Sequence, residues 1–136
     1  MNAVIAQNPM FPLLSRVFIG LLFVVAGLRK VMAIAATAGY FAKLGFPAPE
    51  AMAYLAVLIE IGGGLLLIIG FKTRIIAWLL VAFVAIATGM AHRFWEFADA
   101  AQYGAQLNNF LKNVAIIGGL LMLITYGPGS ASVDKR

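Results

Sequence analysis

The stretch AMAYLAVLIEIGGGLLLIIGF, residues 51–71, decides the fold. It is apolar throughout except for Glu60, and at 1.5 Å per residue it can cross the roughly 30 Å hydrocarbon core of a bilayer as one helix. It closes at Lys72-Thr73-Arg74, a tight basic turn, and a second run of the same kind starts at once, from Ile75 to Met90. Upstream, Leu13 to Leu28 is apolar and continues through Arg29 and Lys30 into the alanine-rich Val31 to Ala38. Downstream, Asn108 and Asn109 open a last run that ends at Tyr126-Gly127-Pro128-Gly129. The expected architecture is all-α, an integral membrane four-helix bundle with spans over 13–33, 51–71, 75–91 and 108–126. Residues 1–136 form a single transmembrane domain, with polar or flexible termini at 1–12 and 128–136.

Composition narrows the function classes. The chain of 136 residues is 63% hydrophobic and 11% charged, whereas a soluble domain is about half apolar and about a quarter charged. Four spans leave no room for a soluble appendage, so any chemistry sits in the spans or their short loops. The net charge of +5 comes from ten Lys and Arg scattered between apolar runs. Topology and anionic lipid headgroups account for that pattern, and no nucleic-acid partner is expected. No cysteine is present, which removes thiolate nucleophiles, disulfide relays and iron–sulfur ligation. Ala33-Ile34-Ala35 resembles a cleavage site, but Arg29 and Lys30 precede it and the first twelve residues carry no basic residue, so the first span is read as retained.

Breaks and anchors follow from residue chemistry. Gly45, Pro47 and Pro49 interrupt the helix between Tyr40 and Glu50, placing a loop at the membrane surface. His92 to Leu107 carries Arg93, Phe94, Trp95, Glu96 and Tyr103, an aromatic and charged stretch suited to the headgroup region. Basic residues divide evenly between the two sides. Discounting Lys30 and Lys112, which fall within helices, places both termini and the Lys72 turn in the cytoplasm.

Ionisable residues inside spans are costly unless they face a bundle interior or a wet cavity. Counting at 1.5 Å per residue from the boundary at Leu13, Gly70, Arg74 and Tyr126, Glu60 sits ~15 Å deep, Lys112 ~21 Å, Lys30 and Asn109 ~25 Å, and His92 ~27 Å. Helical spacing puts Arg16, Gly20, Phe23, Gly27 and Lys30 on one stripe, and Ala56, Glu60, Gly63, Gly64 and Leu67 on another. The third span aligns Trp78, Ala85, Thr88 and His92, and the fourth aligns Asn109, Lys112, Asn113, Ile116 and Gly119. The candidate site is an intramembrane polar pocket of Lys30, Glu60, His92, Asn109 and Lys112, with Arg16 as a further charge partner. Such a pocket suits a quinone head group or a small anion, with the lysines holding the negative end and Glu60 or His92 handling protons. The bland alternative is that Glu60 pairs with Arg16 or a lysine only to bury charge and fix helix register. No catalytic residue is assigned, and one histidine without cysteine makes no metal site.

Taken in order, several short motifs resemble the DoxX family of small bacterial membrane proteins. They are Arg16, Ala26-Gly27-Leu28 with Lys30, Glu60 with Gly62-Gly63, Gly70 with Thr73-Arg74, His92, Asn109 with Lys112, and Gly127-Pro128-Gly129 with Asp134. The resemblance covers nearly the whole chain. It implies a helical bundle in the bacterial cytoplasmic (inner) membrane, related to the DoxD subunit of archaeal thiosulfate:quinone oxidoreductase, and partners among membrane or soluble redox enzymes. The expected function is a redox-associated subunit that binds a quinone or a small sulfur oxyanion. The alternatives are a non-enzymatic scaffold and a small-solute carrier, the latter as a homodimer. No intrinsic cofactor is expected, so electrons must come through a bound quinone or another subunit.

Overall fold

The computed structural model describes residues 8–135. Residues 1–7, most of the amino-terminal segment expected to be polar or flexible, lie outside it, as does Arg136. Among the described residues five α-helices follow one another: α1 (Met10–Met32), α2 (Ile34–Lys43), α3 (Pro49–Ile69), α4 (Thr73–Ala91) and α5 (Ala100–Tyr126), with a 3-10 turn at Phe94–Glu96. Four of these helical stretches are long and apolar enough to span a bilayer, and α2 is the short exception. The molecule is the expected all-α membrane bundle.

Helix ends follow local chemistry. Ala33 leaves helical geometry at φ −131° and ψ 48°, so the alanine-rich continuation of the first span becomes the separate helix α2, packed against α3. Pro47 and Pro49 end that segment, and α3 starts with proline in its first turn, where the missing N–H costs nothing. Gly70 and Lys72 both take left-handed backbone geometry, which reverses the chain in the three residues between α3 and α4. The last helix begins earlier than the expected 108, because Asp99 accepts a hydrogen bond from the Gln102 N–H at 3.0 Å and caps it. Hydropathy falls off before Asn108, but helix propensity and the cap carry α5 another two turns.

The long helices run up and down, with α3 between α1 and α4, and α5 closing the bundle against α4 and α1. The predicted stripes on α1 and α3 are the faces that meet: Arg16, Gly20, Phe23 and Gly27 are buried, as are Ala56, Glu60, Gly63, Gly64 and Leu67. On α4 the expected face is rotated. Ala77, Leu80, Val84 and Thr88 are buried, whereas Trp78 is 56% exposed and Ala85 faces outward. The small Ala77 fits against the core, while the wide indole lies on the surface that a bilayer would cover. Phe23, Leu67, Leu80, Val84, Leu120 and Leu123 form the apolar centre.

The α1–α3 contact depends on two glycines. A Cβ on Gly64 would lie 2.7 Å from the Gly20 carbonyl oxygen and 2.8 Å from Val24, and a Cβ on Gly20 would lie 2.7 Å from the Gly64 carbonyl oxygen. Neither backbone oxygen can move aside without separating the helices, as expected where small residues set the approach. Gly64→Ala is therefore expected to cost about 1–3 kcal/mol of stability through overpacking. Gly62→Ala, where a Cβ meets nothing within 4 Å, should be neutral or slightly stabilising through helix propensity. Unfolding midpoints in detergent check both, and equal midpoints would remove the close-approach argument.

Candidate functional site

The polar residues divide between the two ends of the bundle. At the end carrying the α3–α4 turn, Arg16 is fully buried. Its Nε donates to the Pro128 carbonyl at 3.0 Å, Nη1 donates to the carbonyls of Leu67 and Ile68, and Nη2 donates to that of Ala131. The guanidinium thus adds hydrogen bonds to carbonyls at the carboxyl end of α3 and sits where the helix dipole favours a cation. The expected pairing of Arg16 with Glu60 is not formed. Arg16 lies about 21 Å along α1 from Lys30, beside the end of the antiparallel α3 and not its middle.

The same end holds the carboxyl-terminal tail. Val133 donates its N–H to the Ile69 carbonyl and Asp134 donates its N–H to that of Gly70. The Asp134 carboxylate accepts from the N–H groups of Lys72 and Thr73 at 2.9 and 2.8 Å. A side chain from sixty residues away therefore fills the anion-binding start of α4, where the local sequence offers no capping group. Residues 128–134, expected as a polar or flexible terminus, lie folded against the bundle.

At the other end a cavity of about 490 Å³ opens among all five helices. Its walls are mainly apolar, and Lys30, Glu60, His92 and Lys112 of the candidate set line it. Asn109 does not, and Asn113, one turn further along the same face of α5, takes its place. Lys30 Nζ donates to Glu60 Oε1 at 2.9 Å. Its side chain is 29% exposed and that of Glu60 is 6%, so the lysine arrives from the rim and the carboxylate belongs to the wall. Gly27 makes this pairing accessible: a Cβ there would press on Ile61 and on the Glu60 side chain. The second carboxylate oxygen, Oε2, is buried and has no hydrogen-bond partner among the described residues.

Two further groups are held in place. His92 Nδ1 lies 2.8 Å from Gln106 Oε1. The amide oxygen accepts in this contact, so Nδ1 carries its hydrogen and Nε2 is left outside the pair. Asn113 donates from Nδ2 to Thr88 Oγ1 at 2.9 Å, and Thr88 donates its hydroxyl to the Val84 carbonyl at 2.6 Å. Asn113 is 9% exposed, and this relay fixes its carboxamide. Lys112, expected deep, is exposed on α5 and reaches the cavity from its edge. Asn113 and Gln106 were missed as site residues, although a carboxamide in mid-span carries the same signal as a charge. Nothing in the sequence marks Gln106 as the partner of His92 across the 3-10 turn.

Comparison with known proteins agrees with this architecture. Residues 11–93 match the DoxX family. The chain is 35% identical to the inner membrane protein YphA of Escherichia coli over 131 residues, covering 96% of this chain and 93% of that protein. It is also 35% identical to the inner membrane protein YqjF of the same organism over 123 residues, covering 90% and 88%. An uncharacterized membrane protein of Mycobacterium tuberculosis is 29% identical over 145 residues, covering 96% and 83%. No solved structure matches the chain.

Proposed function

The chain belongs to the DoxX family, and from that premise we propose that it is a bacterial cytoplasmic-membrane subunit that binds a quinone-type ring in the cavity beside Glu60, as the ligand-binding part of a redox assembly. The observation that carries this reading is the cavity itself: about 490 Å³ of mainly apolar space with the Lys30–Glu60 pair in its wall. That volume lies in the range of small-molecule sites, which combine apolar walls with a few placed polar groups. A sulfur oxyanion, small and fully charged, would gain little from such walls and would meet the Glu60 carboxylate.

Access favours a lipid-soluble ligand. Leu55, Leu79 and Ile86 line the cavity and are also exposed on the outside of the bundle, so its side wall is continuous with the hydrocarbon that would surround the protein. His92 and Lys112 also line the cavity, and Lys112 is exposed. The termini and the Lys72 turn are assigned to the cytoplasm, which directs the cavity end outward. Electron transfer then depends on a carrier in a partner subunit.

Thermal unfolding in detergent tests the reading. A quinone with a short alkyl chain is expected to raise the midpoint in a dose-dependent way, approaching about 2.7 kcal/mol of added stability at a hundredfold excess over Kd. Thiosulfate and sulfite should leave it unchanged. A flat response to both the quinone and its hydroquinone at their solubility limits would refute a quinone-type ligand here.

A further inference from the structure

Among the fixed polar groups of the cavity, the buried atom left without a partner among the described residues is an acceptor, Glu60 Oε2. Glu60 Oε1 is taken by Lys30, leaving Oε2 without a partner, and an ionised carboxylate only accepts. His92 Nδ1 is engaged with Gln106 Oε1, leaving Nε2. Asn113 spends one of its two amide hydrogens on Thr88, whose own hydrogen is committed to Val84, and keeps the other. The Asn113 carbonyl oxygen makes no hydrogen bond among the described residues. Glu60 comes from α3, His92 from the end of α4 and Asn113 from α5, and all three side chains line the same cavity.

Donors are present too. Lys30 is engaged with Glu60, Asn113 keeps one amide hydrogen, and Lys112 is exposed and can turn toward water or headgroups. A buried acceptor has no such recourse, and one left unpaired costs about 1–3 kcal/mol. The ligand that relieves this cost brings hydroxyl hydrogens to Glu60 and to Asn113 or His92. Resting on the quinone-type reading above, we infer that the site is built for the reduced, dihydroxy form of the ring, a hydroquinone, in preference to the oxidised dione. The dione offers only acceptors and would leave Glu60 Oε2 facing another oxygen.

Binding of a matched pair to the purified protein in detergent under anaerobic conditions tests this. The probes are trimethylhydroquinone, trimethylbenzoquinone and the dimethyl ether of the hydroquinone, which keeps the ring and lacks the donors. The hydroquinone is expected to bind at least tenfold more tightly than the other two, and Asn113→Leu should reduce that ratio. Because the comparison is made first on the parent protein, it holds even if a variant misfolds. Equal affinity for the hydroquinone and the quinone, or preference for the quinone, would overturn the inference and leave the quinone-type site standing. No binding of any probe would overturn both.

Discussion

Arg16→Ala is expected to lower the stability of the bundle by about 3 kcal/mol or more and to release the carboxyl-terminal tail. The guanidinium donates to four backbone carbonyls from α3 and the tail. Hydrogen bonds to charged groups contribute about 1.5–3 kcal/mol each, and acceptors left unpaired in a buried site add a penalty of similar size. These contributions do not add in full, which is why the expected loss is set near the value of one or two of them. Arg16→Lys should recover only part, because a single ammonium cannot reproduce the planar fork that reaches opposite sides of the junction. Unfolding midpoints in detergent measure the loss, and protease cleavage beyond Gly127 reports the tail. A variant with the parent's midpoint and an equally protected tail would show that Arg16 does not hold this end together.

Lys30→Ala is expected to cost about 3–5 kcal/mol, because it strands the Glu60 carboxylate in an apolar wall without its counter-ion. The reverse change should cost less. In Glu60→Leu the lysine loses a partner but, being partly exposed, can extend to the membrane surface. Replacing both together, as Lys30→Met with Glu60→Leu, is expected to restore most of the stability, since well-packed apolar pairs often match buried ion pairs. The double-mutant cycle gives the coupling directly. Single losses of equal size that simply add in the double variant would mean that the pair is not the organising contact of the cavity. Retained stability with lost ligand binding in the double variant would separate the role of the pair in recognition from its role in folding.

The scaffold and carrier alternatives make different demands on the same region. A scaffold needs only a stable bundle and an exposed surface, so the double variant should preserve it. A carrier needs the cavity to reach both faces, yet the far end is closed here by Arg16, Asp134 and the tail.

The sequence by itself determined the number of long helices, their breaks and the faces on which α1 and α3 meet. Those properties are local: hydropathy over about twenty residues selects a span, Gly45 and Pro47 keep a helix from continuing while Pro49 suits the first turn of the next, and a spacing of three and four residues defines a stripe before any partner is known. Counting along the helices set Lys30 about 10 Å from Glu60 in depth, and only the packed helices brought the two side chains to 2.9 Å. Tertiary structure alone decided which polar groups meet. Arg16 found carbonyls at the end of α3, Asn113 in place of Asn109 faced the cavity, Trp78 turned outward, and Asp134 crossed the chain to cap α4. Each of these outcomes depends on the rotation and offset of two packed helices, and an error of one residue turns a side chain by 100°, which moves it from a cavity wall to the outer surface.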